Sequence, residues 1–370
     1  MKIAIVINTS WNIYNFRLGM IKEFLNDGHE VVAIAPKDDY SQKLIDEGCT
    51  YMDLPMQNKG VNPLKDFSLF LRMRNIYKKS DADIFLQYTI KPNIYGTMAA
   101  SSIGKPVINN VSGLGTIFIR ENLISKIGKT LYRFSFKYAQ KVFFQNRDDL
   151  QLFISSKIIK LNQAMIIPGS GIDLQKFVPS YNESRNLRFV MASRLIKDKG
   201  VYEYVEAAQI IKKKFTEVQF TLCGFIEEES GLGVSLKEIE NWQLDGIINY
   251  VGSTDDIRKV YKSHDVVILP SYREGTPKSL LEAAAMAKPI ITTNVPGCKE
   301  VVKQGINGFL CKMKDGDSLA NAIEKIISLQ PEERKLMGGR GRELMEEKFD
   351  QKIVIDQYKK TIKEVLNGTH

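Results

Sequence analysis

Short apolar runs of strand length alternate with amphipathic stretches along nearly the whole chain, and the alternation is interrupted once. The first series is Lys2–Ile7, Glu30–Ala35, Ile84–Gln87, Val107–Val111 and Val142–Gln145. The second is Leu187–Ala192, Gln219–Cys223, Ile247–Val251, Val266–Pro270 and Pro289–Thr293. Such runs, separated by segments of helical spacing, predict βαβ units and parallel sheets covered by helices on both faces. The interruption, Pro168–Ser184, is polar and rich in turn formers, and it reads as a linker. A chain of 370 residues also exceeds one ordinary domain. The expected fold is therefore α/β, with two Rossmann-like, doubly wound parallel-sheet domains, residues 1–170 and 171–349, facing across a cleft. Asp350–Leu366 has helical spacing (Ile353, Ile355, Tyr358, Ile362, Val365), which makes 350–370 a closing helix.

Composition narrows the function classes. No apolar run reaches the length needed to span a bilayer, and Met1–Ile7 is too short and wrongly flanked for a signal peptide. Cys49, Cys223, Cys298 and Cys311 form no C-x-x-C pair, and His29, His264 and His370 are too dispersed for a metal cluster. A reducing cytoplasm is the expected location, and His29 and His264 read as packing residues. The net charge of +9 is concentrated in the first 170 residues, where 22 Lys and Arg stand against 14 Asp and Glu.

The densest chemical signal is Glu274–Ala283, which runs from the loop after the strand-like run Asp265–Pro270 into a helix predicted over 277–287. Pro277 suits a first helical turn, where its missing N–H costs nothing. Backbone N–H groups and the positive dipole end at a helix start favour an anion. Glu274 and Glu282 flank that start. Acids there repel an anion but bind hydroxyls on either side of it, which is the layout of a nucleotide sugar. Ala192–Gly200, after the first strand of the second series, supplies Arg194, a planar fork for phosphate oxygens, and Lys199, a mobile point charge.

Glu274 to Glu282 resembles the E-x7-E motif, and Arg194 to Gly200 the R-L-x-x-x-K-G element, of retaining glycosyltransferases with the GT-B architecture. The whole chain is similar to glycosyltransferase family four. The resemblance implies transfer of a sugar, with retention, from a nucleoside diphosphate donor, with UDP predominating among relatives. No cofactor is expected, and no metal is required, since no D-x-D pair follows a first-domain strand. Glu274 would contact the donor sugar, Arg194 and Lys199 the diphosphate, and Glu282 the ribose; Gly275, Thr276, Pro277, Lys278, Ser279 and Leu280 would line the donor site. The closing helix would cross back to the first domain. Asp81 and Asp83 precede a strand instead of following one and read as a turn.

The first domain would bind the acceptor, a glycan or lipid-linked saccharide in cell-surface polysaccharide synthesis. Here the chain departs from the family. Asn8–Arg17 lacks the two glycines common after the first strand, and Gln87–Asn93 lacks the usual His. Arg17, Lys91 and Gly113, the last within the loop Asn109–Gly115, are the acceptor-side candidates. Lys126, Lys129, Arg133, Lys137 and Lys141 recur at helical spacing beside Ile124, Ile127, Leu131, Phe134 and Tyr138. Two readings stay open for this face: contact with an anionic membrane or lipid-diphosphate acceptor, placing the enzyme peripherally on the inner face of the plasma membrane, or a solvated helix packed on its domain. No nucleic-acid motif accompanies the charge. The competing functions are a nucleotide-sugar 2-epimerase, which this His-poor chain fits badly, a non-catalytic nucleotide-sugar binder, and a nicotinamide dehydrogenase, for which neither sheet start offers G-x-G-x-x-G.

Overall fold

The computed structural model describes residues 1–57, 62–114, 123–182, 186–227 and 233–368. The chain forms two units, Met1–Ser170 with Gln351–His370, and Gly171–Asp350. Each is built on a parallel sheet, as the alternating runs require.

In the first unit the strands are β1 (Lys2–Val6), β2 (Glu30–Ala35), β3 (Thr50–Asp53), β4 (Ile84–Tyr88), β5 (Val107–Val111), β6 (Lys141–Phe144) and β7 (Ala164–Ile166), in the order β3-β2-β1-β4-β5-β6-β7. The interior strands are buried on both faces, which is why they read as unbroken apolar runs. Helices α1 (Ser10–Asn26) and α2 (Ser41–Asp46) cover one face, joined there by the closing helix. Helices α3 (Pro63–Ser80), α4 (Thr97–Ser101), α5 (Leu123–Ser135) and α6 (Arg147–Ser155) cover the other. Local chemistry starts several of them: Thr9 caps α1 through Asn12 N–H at 3.2 Å, and Asn62 with Pro63 opens α3.

The second unit has β8 (Arg188–Ala192), α7 (Val201–Lys212), β9 (Gln219–Cys223), α8 (Leu236–Leu244), β10 (Asn249–Tyr250), α9 (Ile257–Lys262), β11 (Val266–Leu269), α10 (Lys278–Ala285), β12 (Ile290–Thr293), β13 (Gly308–Cys311), α11 (Gly316–Ser328) and α12 (Pro331–Leu344). Its strand order is β10-β9-β8-β11-β12-β13. Both sheets therefore reverse direction beside their first strand, between β1 and β4 and between β8 and β11. Loops after such strands part at that point and leave room for a ligand. His264 serves packing, bonded to the Val260 carbonyl at 2.7 Å and Thr221 Oγ1 at 2.8 Å, and burial lowers its pKa.

The closing helix, α13 (Gln351–Leu366), packs on the first unit. Val354, Ile355, Tyr358, Ile362 and Val365 enter the core beside α1, and Lys359 pairs with Asp27 at 2.8 Å and Glu23 at 3.2 Å. Asn110 Nδ2 donates to Tyr358 Oη at 2.9 Å inside that core. Replacing Tyr358 with Phe strands the amide donor, so a loss of about 1–3 kcal/mol is expected. An earlier urea transition would report it, and an unchanged midpoint would show the bond to be energetically idle.

Candidate active site

Helix α10 begins one residue later than expected. Pro277 is its N-cap, with φ −71° and ψ 113°, and carries no side-chain acceptor to cap the first turn. Glu274 lies in the loop before it, and Glu282 is one turn inside. The Lys199 ammonium donates to Glu274 Oε1 in a short ion pair, the two side chains being only 19% and 13% exposed. Sequence separates these residues by a whole βα series, but β8 and β11 are hydrogen-bonded neighbours, so the loops that follow them meet.

That meeting is stapled by backbone and core groups. The carbonyl of Asp198 accepts from Tyr272 N–H at 2.9 Å and Ser271 Oγ at 3.2 Å. Tyr272 Oη donates to Glu203 Oε1 at 2.6 Å, tying the acidic loop to the first turn of α7. Glu274 N–H reaches the Pro296 carbonyl at 3.1 Å. Two glycines permit the approach. Gly200 has φ 80°, and a Cβ there would stand 2.2 Å from the Pro270 carbonyl; Gly297 has φ 85°, and its Cβ would stand 2.4 Å from the carbonyls of Glu274 and Gly275. Any side chain at either position forces the loops apart.

Glu282 is half-buried. Desolvation raises its carboxyl to about 7, against the pull of Lys278 and Lys176. Lys278 itself donates to the Gly171 carbonyl at 3.1 Å, anchoring the helix start to the segment that enters this unit. Arg194 pairs with a third acid. Its side chain is 51% exposed, and its Nη1 pairs with Glu227 at 3.4 Å. Of the donor-side candidates, then, Lys199 and Glu274 touch, Lys278 and Glu282 share an electrostatic neighbourhood, and Gly275–Leu280 form the intervening loop and helix start. Tyr272, Glu203, Glu227, Lys176 and Gly297 carry no sequence motif. Glu227 and Gly297 follow β9 and β12, and only the strand order brings those ends near β8 and β11.

In the first unit Arg17 is buried, with its guanidinium 4.3 Å from the ring centroid of Tyr88 at the end of β4. Its Nη1 donates to the Phe16 carbonyl at 3.0 Å. Lys91 pairs with Asp66 at 2.9 Å. The loop expected over Asn109–Gly115 is shorter: Asn109 and Asn110 belong to β5 and bond within the core, to Thr97 and Tyr358, because buried amides need partners. Gly113 follows with φ 147°, and Gly115 lies outside the described residues.

The basic face also differs from its expected extent. Helix α5 ends at Ser135, so Lys137 stands on the following turn and Lys141 is in β6, donating to the Asn162 carbonyl at 3.0 Å. What remains on the surface is mixed: Lys126, Arg133 and Lys137 are exposed beside Ile127, Phe134 and Tyr138, themselves 44–51% exposed. The side chain of Ile124 lies outside the described residues. No helix among the described residues is long and apolar enough to cross a membrane.

Two family models match the chain: Glycosyl transferases group 1 over residues 175–344 and Glycosyl transferase 4-like over residues 2–146. The chain is 30% identical to the N,N'-diacetylbacillosaminyl-diphospho-undecaprenol alpha-1,3-N-acetylgalactosaminyltransferase of Campylobacter jejuni, over 100% of both chains. Its fold is similar to that of the sucrose-phosphate synthase of Thermosynechococcus elongatus, with a TM-score of 0.82 at 19% identity over 100% of each chain. It is also similar to Anabaena HepE, solved with UDP and glucose, with a TM-score of 0.80 at 17% identity over 98% of this chain and 99% of that one. The two parallel-sheet units are thus those of the GT-B class.

The raised carboxyl of Glu282 sets a pH dependence. The folded state binds this proton more tightly than the unfolded chain, so stability from this group is greatest below the ordinary carboxylate range and falls as pH rises towards about 7. Denaturation midpoints at pH 5 and pH 8 should therefore differ more in the wild type than in Glu282→Gln. Equal differences would mean the carboxylate is better solvated than its surroundings suggest.

Proposed function

The chain belongs to the group 1 glycosyltransferase family, and on that premise we propose that it moves a sugar, with retention, from a UDP-linked donor to a lipid-diphosphate-linked saccharide. The observation that carries the reading is the contact of Lys199 with Glu274 beside the start of α10. It joins a cation suited to a departing diphosphate with an acid suited to the sugar's developing positive charge.

When the bond from the anomeric carbon to the diphosphate oxygen breaks, negative charge grows on the leaving group and positive charge on the ring. Lys199 and the backbone N–H groups at the start of α10 stabilise the first; Glu274 stabilises the second and orients hydroxyls. Before donor arrives, Lys199 and Glu274 satisfy each other, and the phosphates take over the ammonium. Arg194, half-exposed on its loop, can leave Glu227 for a phosphate oxygen. Glu282 accepts from the ribose hydroxyls, which are better partners for it than the surrounding protein. The chemistry here uses fixed protein charges without a required metal.

The donor base rests on the Anabaena neighbour, solved with UDP. The acceptor class rests on the Campylobacter relative, whose name gives a diphospho-undecaprenol sugar as acceptor. The first unit would receive that acceptor, through Arg17, Lys91 and the Gly113 loop, and the second unit the donor. The exposed cations and apolar groups of α5 fit a peripheral contact with an anionic bilayer, cations for the headgroups and aromatic rings for the interface.

A thermal-shift panel of nucleotide sugars, followed by product analysis on lipid-linked acceptors, tests the whole reading. Lys199→Ala is expected to lower turnover about 10- to 100-fold, since a charge-assisted bond of this kind is worth about 1.5–3 kcal/mol. Glu282→Gln should weaken UDP affinity with the fold intact. Wild-type rates in the first variant and unchanged calorimetric affinity in the second would remove both residues from the site. For the membrane contact, co-sedimentation with anionic liposomes should be lost at high salt and in a Lys126, Arg133, Lys137 triple Gln variant. No sedimentation at low salt would reduce α5 to a packing element.

A further inference from the structure

A second ligand-sized site lies in the first unit. A groove of about 460 Å³ opens between the segment after β3 and helix α3, lined among others by Pro55, Met56, Lys65, Asp66, Arg72 and Lys91. Its lining carries three cations and one acid. Asp66 is buried and holds Lys91 at 2.9 Å, while Lys65 and Arg72 stand exposed on the rim. The groove thus keeps a surplus of positive charge. Pro55 and Met56 follow β3, and Lys91 follows β4, so it sits at the carboxyl ends of the strands, where open α/β sheets bind ligands.

The adjoining face of α3 is apolar and unburied. Leu64, Phe67 and Leu71 recur at helical spacing and are 84%, 61% and 49% exposed. Leu64 also lines the groove, so cationic pocket and apolar stripe are continuous. A row of large exposed apolar residues beside a charged pocket signals an amphiphilic partner. Both α3 and α5 pack on the segment Pro92–Gly96, so this stripe belongs to the same helical layer as the basic, apolar surface of α5.

We infer that the groove takes the diphosphate of a polyprenyl-diphosphate-linked acceptor, with its first isoprene units lying along Leu64, Phe67 and Leu71. Lys65 and Arg72 bind the phosphates as charge-assisted donors, Lys91 completes the cationic lining, and Asp66 holds Lys91 in place. A water-soluble nucleotide would leave the stripe unused, and a neutral lipid would leave the cations unused. The inference rests on the lipid-linked acceptor proposed above and adds where its anionic link and its tail bind.

The test uses the full chain with saturating UDP, so that the donor diphosphate site is filled, and geranylgeranyl diphosphate as probe in calorimetry. Inorganic pyrophosphate and geranylgeraniol are the comparison ligands. The intact probe should bind more tightly than either. A Lys65→Gln, Arg72→Gln variant should lose about tenfold or more in affinity for it, and Phe67→Ser with Leu71→Ser should weaken the probe while leaving pyrophosphate unaffected. All four positions are exposed, and the donor-induced thermal shift of each variant reports that it is folded. Pyrophosphate binding as tightly as the probe would make the groove a free-diphosphate site. Geranylgeraniol binding as tightly would make it a plain apolar patch, and unchanged variants would place the lipid elsewhere; each overturns the inference. If no nucleotide sugar shifts the wild type, the transferase reading itself fails, whereas a normal donor shift with an indifferent groove discards only this assignment.

Discussion

The second unit depends on β8 and β11 being neighbours. Lys199 and Glu274 are carried by the loops that leave those two strands, and their ion pair exists because the sheet reverses its winding between them. Everything close to the pair serves to hold that geometry: the Asp198 carbonyl bound from Ser271 and Tyr272, the Tyr272–Glu203 bond, and glycines where loop backbones cross at less than van der Waals distance from a would-be Cβ. Opposite charges this well buried interact more strongly than the same pair in water, because little solvent is left to screen them.

The first unit repeats the strand order with different chemistry. Its reversal, between β1 and β4, carries Arg17 stacked on Tyr88 instead of a paired ammonium and carboxylate, and the same unit holds a network of buried amides and hydroxyls. Asn109 bonds Thr97, Asn93 bonds the Asn110 carbonyl, and Gln87 bonds Tyr77. Each bond offsets part of the cost of burying its polar groups and ties β4, β5, α3 and α4 together. The net positive charge of this half is spent outside that core, on the faces of α3 and α5, beside exposed apolar side chains. On each helix, cations and apolar side chains thus stand side by side at the surface.

Glu282 shows how position changes a side chain's role. On an exposed helix it would be an ordinary carboxylate. Half-buried within α10 it is raised towards neutrality, and the two nearby lysines offset only part of the desolvation. The cost of that ionisation falls on the folded state alone and grows as pH rises.

The α/β class, the interior strands and the residues at the strand-helix junctions were legible from periodicity, because a strand buried on both faces must be apolar throughout and its helix must be amphipathic. The three strands that escaped, β3, β7 and β13, all lie at sheet edges, where burial is partial and residues such as Thr50, Asp53 and Gln-flanked Ala164 blur the pattern. The basic run over 126–141 looked like one helical face, yet spacing cannot see that the helix stops at Ser135 and that Lys141 starts a strand. Motif residues could be named but not paired: nothing local says that Lys199 touches Glu274 while Arg194 turns to Glu227. Sequence by itself determined which elements form, since that depends on neighbours along the chain. The tertiary structure alone decided strand order, and with it which distant charges share a desolvated site, because that is a property of packing across the sheet.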